Sequence, residues 1–156
     1  MDLTPGANHL PCLIFTAGEH LCALPLEHVV ETMRPQPVRP VQGAPSFVTG
    51  LATIRGASVP VVDASAVVGA RGRSVPGRFV AVRTGERLAA LAVSEVVGVR
   101  RIDPATFEKL PSLAGDSAAA TIDAIARLDA EFLVVLRATQ LVPRDIAAVA
   151  APGDGR

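Results

Sequence analysis

Short apolar runs recur along this chain, at residues 13–15, 21–24, 51–54, 58–62, 79–83, 88–93, 96–102, 122–128 and 132–137, and Gly, Pro, Asp or Ser bounds each of them. Runs of this length suit strands, and the turn residues between them leave little room for crossover helices. Thr84-Gly85-Glu86-Arg87 joins one pair of runs and Asp129-Ala130-Glu131 another, both short enough for antiparallel hairpins. About nine strands with short connections predict an all-β barrel or sandwich, not alternating helix and strand.

The composition narrows the partners. A chain of 156 residues suits one domain, and its 49% apolar residues include no Trp or Tyr and only five Phe, so Val, Leu, Ile and Ala must build the core. Thin, closely approached sheets follow from such small side chains. Stacking of single-stranded bases lacks its usual aromatic platform. Fifteen basic residues balance fifteen acidic ones, which removes any global field toward nucleic acid or an anionic membrane. Another protein or a small neutral ligand is the expected partner. The start of the chain lacks a signal-peptide pattern and no uncharged apolar run reaches the roughly 18 residues of a membrane span. The expectation is a cytoplasmic protein without membrane insertion.

Helices are few. Pro25 followed by Leu26, Val29, Val30 and Met33 predicts one or two amphipathic helical turns with proline in first position. Asp63 reads as the N-cap of a short helix over 64–68 that stops at Gly69. Asp103-Pro104 opens a turn through Phe107, and Thr139 starts a last one ending near Pro143. Residues 34–45 hold four prolines in twelve positions and predict an extended linker. Residues 70–77 and 114–120 read as loops, 1–11 as a flexible leader, 12–143 as the folded domain and 144–156 as a flexible tail.

No catalytic or metal constellation emerges. A tight turn at 17–20 sets Cys22 opposite Phe15, about three pairs out of register with Cys12, which is too far for a disulfide. Both read as buried free thiols. His9 and His20 fall in the leader and a turn; only His28, beside Glu27 and Glu31, has a carboxylate to orient it. Asp63 is already explained as a cap. Metal-ligand, nucleophile-elbow and phosphate-loop spacings are missing from the sequence, and no cofactor is expected.

The stretch GLATIRGASVPVVDA, residues 50–64, places two glycines, Arg55, Pro60 and Asp63 in an apolar hairpin-like run. Gly50 and Gly56 bracket a bend where a positive φ or a close backbone approach is needed. Arg55 either satisfies loop carbonyls or offers its planar fork to a carboxylate on a partner helix.

With this stretch in view, the chain resembles the family of CheW-type chemotaxis coupling proteins. The resemblance starts at CLIFTAGEHLCALPLEHVVETM and continues through VQGAPSFVTGLATIRGASVPVVDASAVVG. It remains traceable in LAALAVSEVVGVRRI and IDAIARLDAEFLVVLRATQLVP. It implies two interlocked SH3-like five-stranded β barrels with a few short helices, and a scaffold without catalytic activity or cofactor. The implied partners are the cytoplasmic hairpin tip of a methyl-accepting chemoreceptor, the regulatory domain of a CheA-type histidine kinase, and other CheW-like proteins, in arrays at the membrane. The resemblance puts the receptor surface at Val29 and Glu31 on the short helix, Gly50, Arg55 and Gly56 at the bend, and Val96 and Val99 on a later strand. Each valine taken alone reads first as plain core. Kinase-contact residues are not assigned.

Four positions depart from the family pattern. Thr53 stands where Asn is frequent, Ala64 where Leu is usual, Ala124 where a glycine is usual, and Arg137 where the last strand commonly ends in Asp. The last change alters a surface by two charges, so a coupler that binds receptors or other couplers but not the kinase is the first alternative. A small hydrolase or ligand-binding β barrel built on His28 or Asp63 is a remote one, and would require a closed apolar cavity.

Overall fold

The structure, a computed structural model, describes residues 9–70, 75–109, 122–128 and 130–137. The turn expected at 139–143, the loop at 114–120, most of the leader, part of the 70–77 loop and the tail lie outside the described residues. Among the described residues eleven strands form two sheets. The first, in the order β8-β1-β2-β11-β10-β9, combines β1 (Leu10–Ala17) and β2 (His20–Pro25) with β8 (Glu95–Ile102), β9 (Glu108–Lys109), β10 (Ile122–Leu128) and β11 (Glu131–Leu136). The second, β3-β6-β7-β5-β4, contains β3 (Val29–Met33), β4 (Val48–Ile54), β5 (Ala57–Asp63), β6 (Arg78–Thr84) and β7 (Arg87–Val93).

The two units interlock by nesting. The second sheet is built from one continuous stretch of chain, whereas the first takes strands from both sides of it: β8 pairs antiparallel with β1, and β11 pairs parallel with β2. The sixth strand of the first sheet, β9, is only two residues long and touches β10 at Ala124 and Ile125. Strand β1 starts at Leu10, inside the expected leader, because Leu10 and Pro11 pair with Ile102 and Arg101.

Burial explains why the apolar runs are nearly continuous. On β1 and β2, Leu13, Phe15, Ala17, Cys22 and Leu24 join Val62, Val80, Val82, Leu91 and Val93 in a core between the sheets. Their alternate neighbours Cys12, Ile14 and Ala23 join Ile102, Ala126, Leu133 and Val135 inside the first barrel. Val59, Val61, Phe79, Ala90 and Ala92 fill the second. Central strands with both faces buried cannot carry a polar alternation. Small side chains let three such layers fit within a chain of this length.

Both expected hairpins form, with Thr84 opposite Arg87 and Leu128 opposite Glu131. The first turn sets Phe15 opposite Cys22, so the thiols are apart as expected. Asp63 caps α1 (Ala64–Val67), its carboxylate accepting from the Ser65 N–H at 3.0 Å, and Asp103 does the same for Ala105 at 3.0 Å in a single 3₁₀ turn. The helix expected after Pro25 is a correction: one 3₁₀ turn, Leu26–His28, gives way at once to β3. The helical spacing of apolar residues there is overridden by pairing to β6, where Val29 meets Val82 and Met33 meets Phe79, and β-branched Val29, Val30 and Thr32 suit that extended state. Val29 and Glu31 therefore lie on a strand.

Candidate functional site

The hairpin between β4 and β5 turns on two residues, Arg55 and Gly56, both at positive φ (52° and 82°), as a type I′ turn requires. Arg55 is the one non-glycine residue in this backbone region among the described residues. Its side chain reaches across to β3. Arg55 Nε donates to Glu31 Oε2 at 2.7 Å and Nη2 donates to Glu31 Oε1 at 2.8 Å, a two-pronged guanidinium–carboxylate pair. Of the two roles expected for Arg55, carbonyl satisfaction is replaced by this pair, and the carboxylate it holds belongs to its own chain.

β3 and β4 are the two edges of the second sheet, so the pair is a clasp that joins one edge to the hairpin of the other. A second clasp lies further along. After β3 the proline-rich segment runs back beside β4, where Arg39 N–H donates to Leu51 O and Leu51 N–H donates to Arg39 O, both at 2.8 Å. Met33 and Val38 pack into the barrel between the two clasps. The linker is thus a strap that closes the second barrel.

Gly50 belongs to this second clasp and not to the bend. It sits within β4 at a register shift, with φ +153°, and a Cβ there would collide with the Arg39 carbonyl oxygen and lie 2.9 Å from Pro40 Cα. Sequence reasoning missed Arg39 and Pro40 as its neighbours. Their signal was available in the four prolines, which favour an extended chain able to run along an edge.

Electrostatics follow the geometry. The Arg55 guanidinium, by hydrogen bond and charge, holds the Glu31 carboxyl below its ordinary pKa, and Glu31 holds the guanidinium above its own. The clasp is open to water, with the Arg55 side chain 76% exposed and that of Glu31 27%. It is fully ionised near neutrality.

The three valines divide. Val29 and Val96 are partly buried and pack against the core between the sheets, Val96 opposite Phe15. Val99, opposite Leu13, is 48% exposed. β3 ties the two features together, since Val29 at the inter-sheet seam and Glu31 in the clasp are two residues apart. The structure thus joins Glu31, Arg55 and Gly56 directly, packs Val29 and Val96 against the same inter-sheet core, and leaves Gly50 behind the strap.

Other candidates have local explanations. His28 Nε2 lies 3.4 Å from Glu27 Oε2 of its own turn, and Asp63 is the cap of α1. Burial pushes the Cys12 thiol up to about 11 and the Cys22 thiol up to about 12. A groove of about 450 Å³ lined by Ile14, Leu21, Val97, Arg100, Leu128, Ala130 and Glu131 is open to solvent and lacks the closure of a ligand cavity. Ala124 is wholly buried inside the first barrel, so its departure from the family pattern leaves the surface unchanged, whereas Arg137 is exposed.

Two barrels that share a core, the second carrying an exposed charged clasp, define the class of fold. The chain belongs to the CheW-like domain family, whose model matches residues 11–145. It is 35% identical to Protein FrzA of Myxococcus xanthus over 112 residues, 67% of this chain and 66% of FrzA, just under two thirds of that protein. It is 28% identical to Chemotaxis protein CheW of Rhizobium meliloti (strain 1021) over 116 residues, 73% of this chain and 74% of that one. The crystal structure of the scaffolding protein TtCheW from Thermoanaerobacter tengcongensis superposes with a TM-score of 0.69 at 26% identity, covering 82% of this chain and 88% of TtCheW. The two sheets are accordingly the paired SH3-like barrels of that family. No helix among the described residues is long and apolar enough to cross a membrane.

Proposed function

We propose that this chain is a non-catalytic adaptor that couples chemoreceptor hairpin tips to the regulatory domain of a CheA-type histidine kinase, in arrays at the cytoplasmic face of the membrane. The observation that carries the receptor side is the Glu31–Arg55 clasp. It is exposed, geometrically fixed and two residues from Val29, so a receptor helix meets a rigid charged feature and an apolar seam together. An amphipathic helix has the complementary chemistry. In this reading Val29, Glu31, Arg55, Gly56, Val96 and Val99 form or support the receptor-facing surface and Gly50 shapes it from behind.

Kinase coupling rests on family membership and on the relatives' names. Thr53 and Arg137 are the exposed differences, and of the two Arg137 changes the charge. Calorimetric titration of the full chain tests both halves, against a receptor tip hairpin and against the kinase regulatory domain from the same source. Saturable one-to-one binding of each supports the coupler. Receptor binding without kinase binding would replace it with a receptor-only adaptor, and binding of neither by folded protein would overturn it.

A further inference from the structure

The Glu31–Arg55 clasp and the Arg39–Leu51 bridge are the two ends of one mechanical unit. Between them run residues 34–38, with Pro35 and Pro37 fixing the chain and Pro40 immediately following the bridge. Proline rings fix φ at two of these five positions, so the segment has fewer ways to take up a displacement at Arg39 before it reaches Met33 and β3. What allows the strap to lie against β4 is the missing side chain at Gly50, where a Cβ would collide with the Arg39 carbonyl oxygen and come within 2.7 Å of its carbon and 2.9 Å of Pro40 Cα. All three are backbone atoms, which cannot swing aside as a flexible side chain could.

We propose that Gly50 is a positioning residue: by admitting the strap through Arg39 and Pro40 it sets the edge-to-edge distance at which Glu31 and Arg55 can form their fork. Gly50 does this from behind the strap, without touching the partner. For its functional consequence this rests on the receptor reading of the clasp; the positioning itself does not.

The decisive readout is the titration of the Glu31 carboxyl, followed by carbon-detected NMR in the full chain. In the parent protein Glu31 titrates below an ordinary glutamate because of Arg55. Gly50→Ala is expected to move that midpoint upward toward the ordinary value. Gly43→Ala is the control, since Gly43 also has a positive φ, +82°, but nothing stands within 4 Å of its added methyl. It carries backbone strain without displacing the strap and should leave Glu31 where it was. Should Gly50→Ala compromise folding, Arg39→Pro removes the N–H that donates to Leu51 O while adding nothing at position 50, and should move Glu31 in the same direction.

An unshifted Glu31 in folded Gly50→Ala and Arg39→Pro, or an equal shift in Gly43→Ala, would overturn the proposal. Binding separates it from the receptor reading. Against a receptor tip hairpin, Gly50→Ala and Arg55→Ala should each weaken association by roughly tenfold, and the double variant by little more than either, because they disrupt one unit. Fully additive losses would mean that Gly50 makes its own contact and would also overturn positioning. Parent-like binding by Arg55→Ala, with Glu31 still shifted in Gly50→Ala, would sink the receptor reading and leave the positioning intact.

Discussion

Arg55 and Glu31 stand 24 residues apart in the chain and meet through two hydrogen bonds of 2.7 and 2.8 Å, one residue on the hairpin of β4 and β5 and the other on the opposite edge strand. The arginine does this from a backbone region that disfavours it. At a type I′ turn the preferred residues are Asn, Asp or Gly, which enter the left-handed region at low cost. Arginine is there for its fork, and the fork fixes the carboxylate in a single orientation at the protein surface.

Arg55→Asn separates turn from clasp. Asn-Gly is the favoured pair for this turn, so the variant should keep or raise the melting temperature, and it should weaken receptor-tip association by about tenfold through loss of the guanidinium. Thermal unfolding and calorimetry on one sample check both. Parent-like association would remove the clasp from the interface, and a marked loss of stability would show that the fork, not the turn, holds the hairpin.

Acidity should release the clasp in one direction. The folded-state pKa of Glu31 is depressed, so the pair's contribution is complete above the ordinary carboxylate range and is lost as pH falls through the depressed value. Receptor association should therefore decline on acidification, and Glu31→Gln should already be weakened near neutrality and lose this part of the pH dependence. A parent profile superimposable on that of Glu31→Gln would exclude the clasp as its source.

Much of this architecture is legible in the residues themselves. Runs such as 79–83 and 88–93 announce strands because both faces are buried, and Gly85-Glu86 leaves their hairpin little alternative. Asp63 announces its cap through a local rule, a short acceptor ahead of free N–H groups. Strand β3 is not legible in this way: Leu26, Val29, Val30 and Met33 fit a helix as well as a strand, and only pairing to β6, some fifty residues later, decides. Gly50 was marked by its residue type, but the strap it admits comes from Arg39 and Pro40, and no local pattern gives that approach. For Arg55, sequence proposed a carboxylate partner; the fold supplied one from the same chain.

The buried thiols offer a check on the sheet register. Cys12 and Cys22 are wholly buried, point into different cores, and have pKa values pushed up to about 11 and about 12. At pH 8 neither forms appreciable thiolate, so both should resist a thiol reagent in the folded protein and react together on denaturation. Fast labelling of either one under native conditions would contradict the pairing of β1 with β2 and β8.

The valines distinguish surface from support. Val96, partly buried, packs against the inter-sheet core opposite Phe15, so Val96→Asp sets a charge against that core and should cost about 1–3 kcal/mol of stability. Val99, on the same strand and 48% exposed, tolerates the change: Val99→Asp should stay within ~0.5 kcal/mol of the parent. If the receptor lies along this seam, Val99→Asp should nevertheless weaken it several-fold, because a desolvated carboxylate would face an apolar helix stripe. Denaturant unfolding beside receptor titration resolves the two effects. Equal destabilisation by both substitutions would place Val99 in the core, and undiminished binding by folded Val99→Asp would move the receptor off β8 and confine it to the clasp and β3.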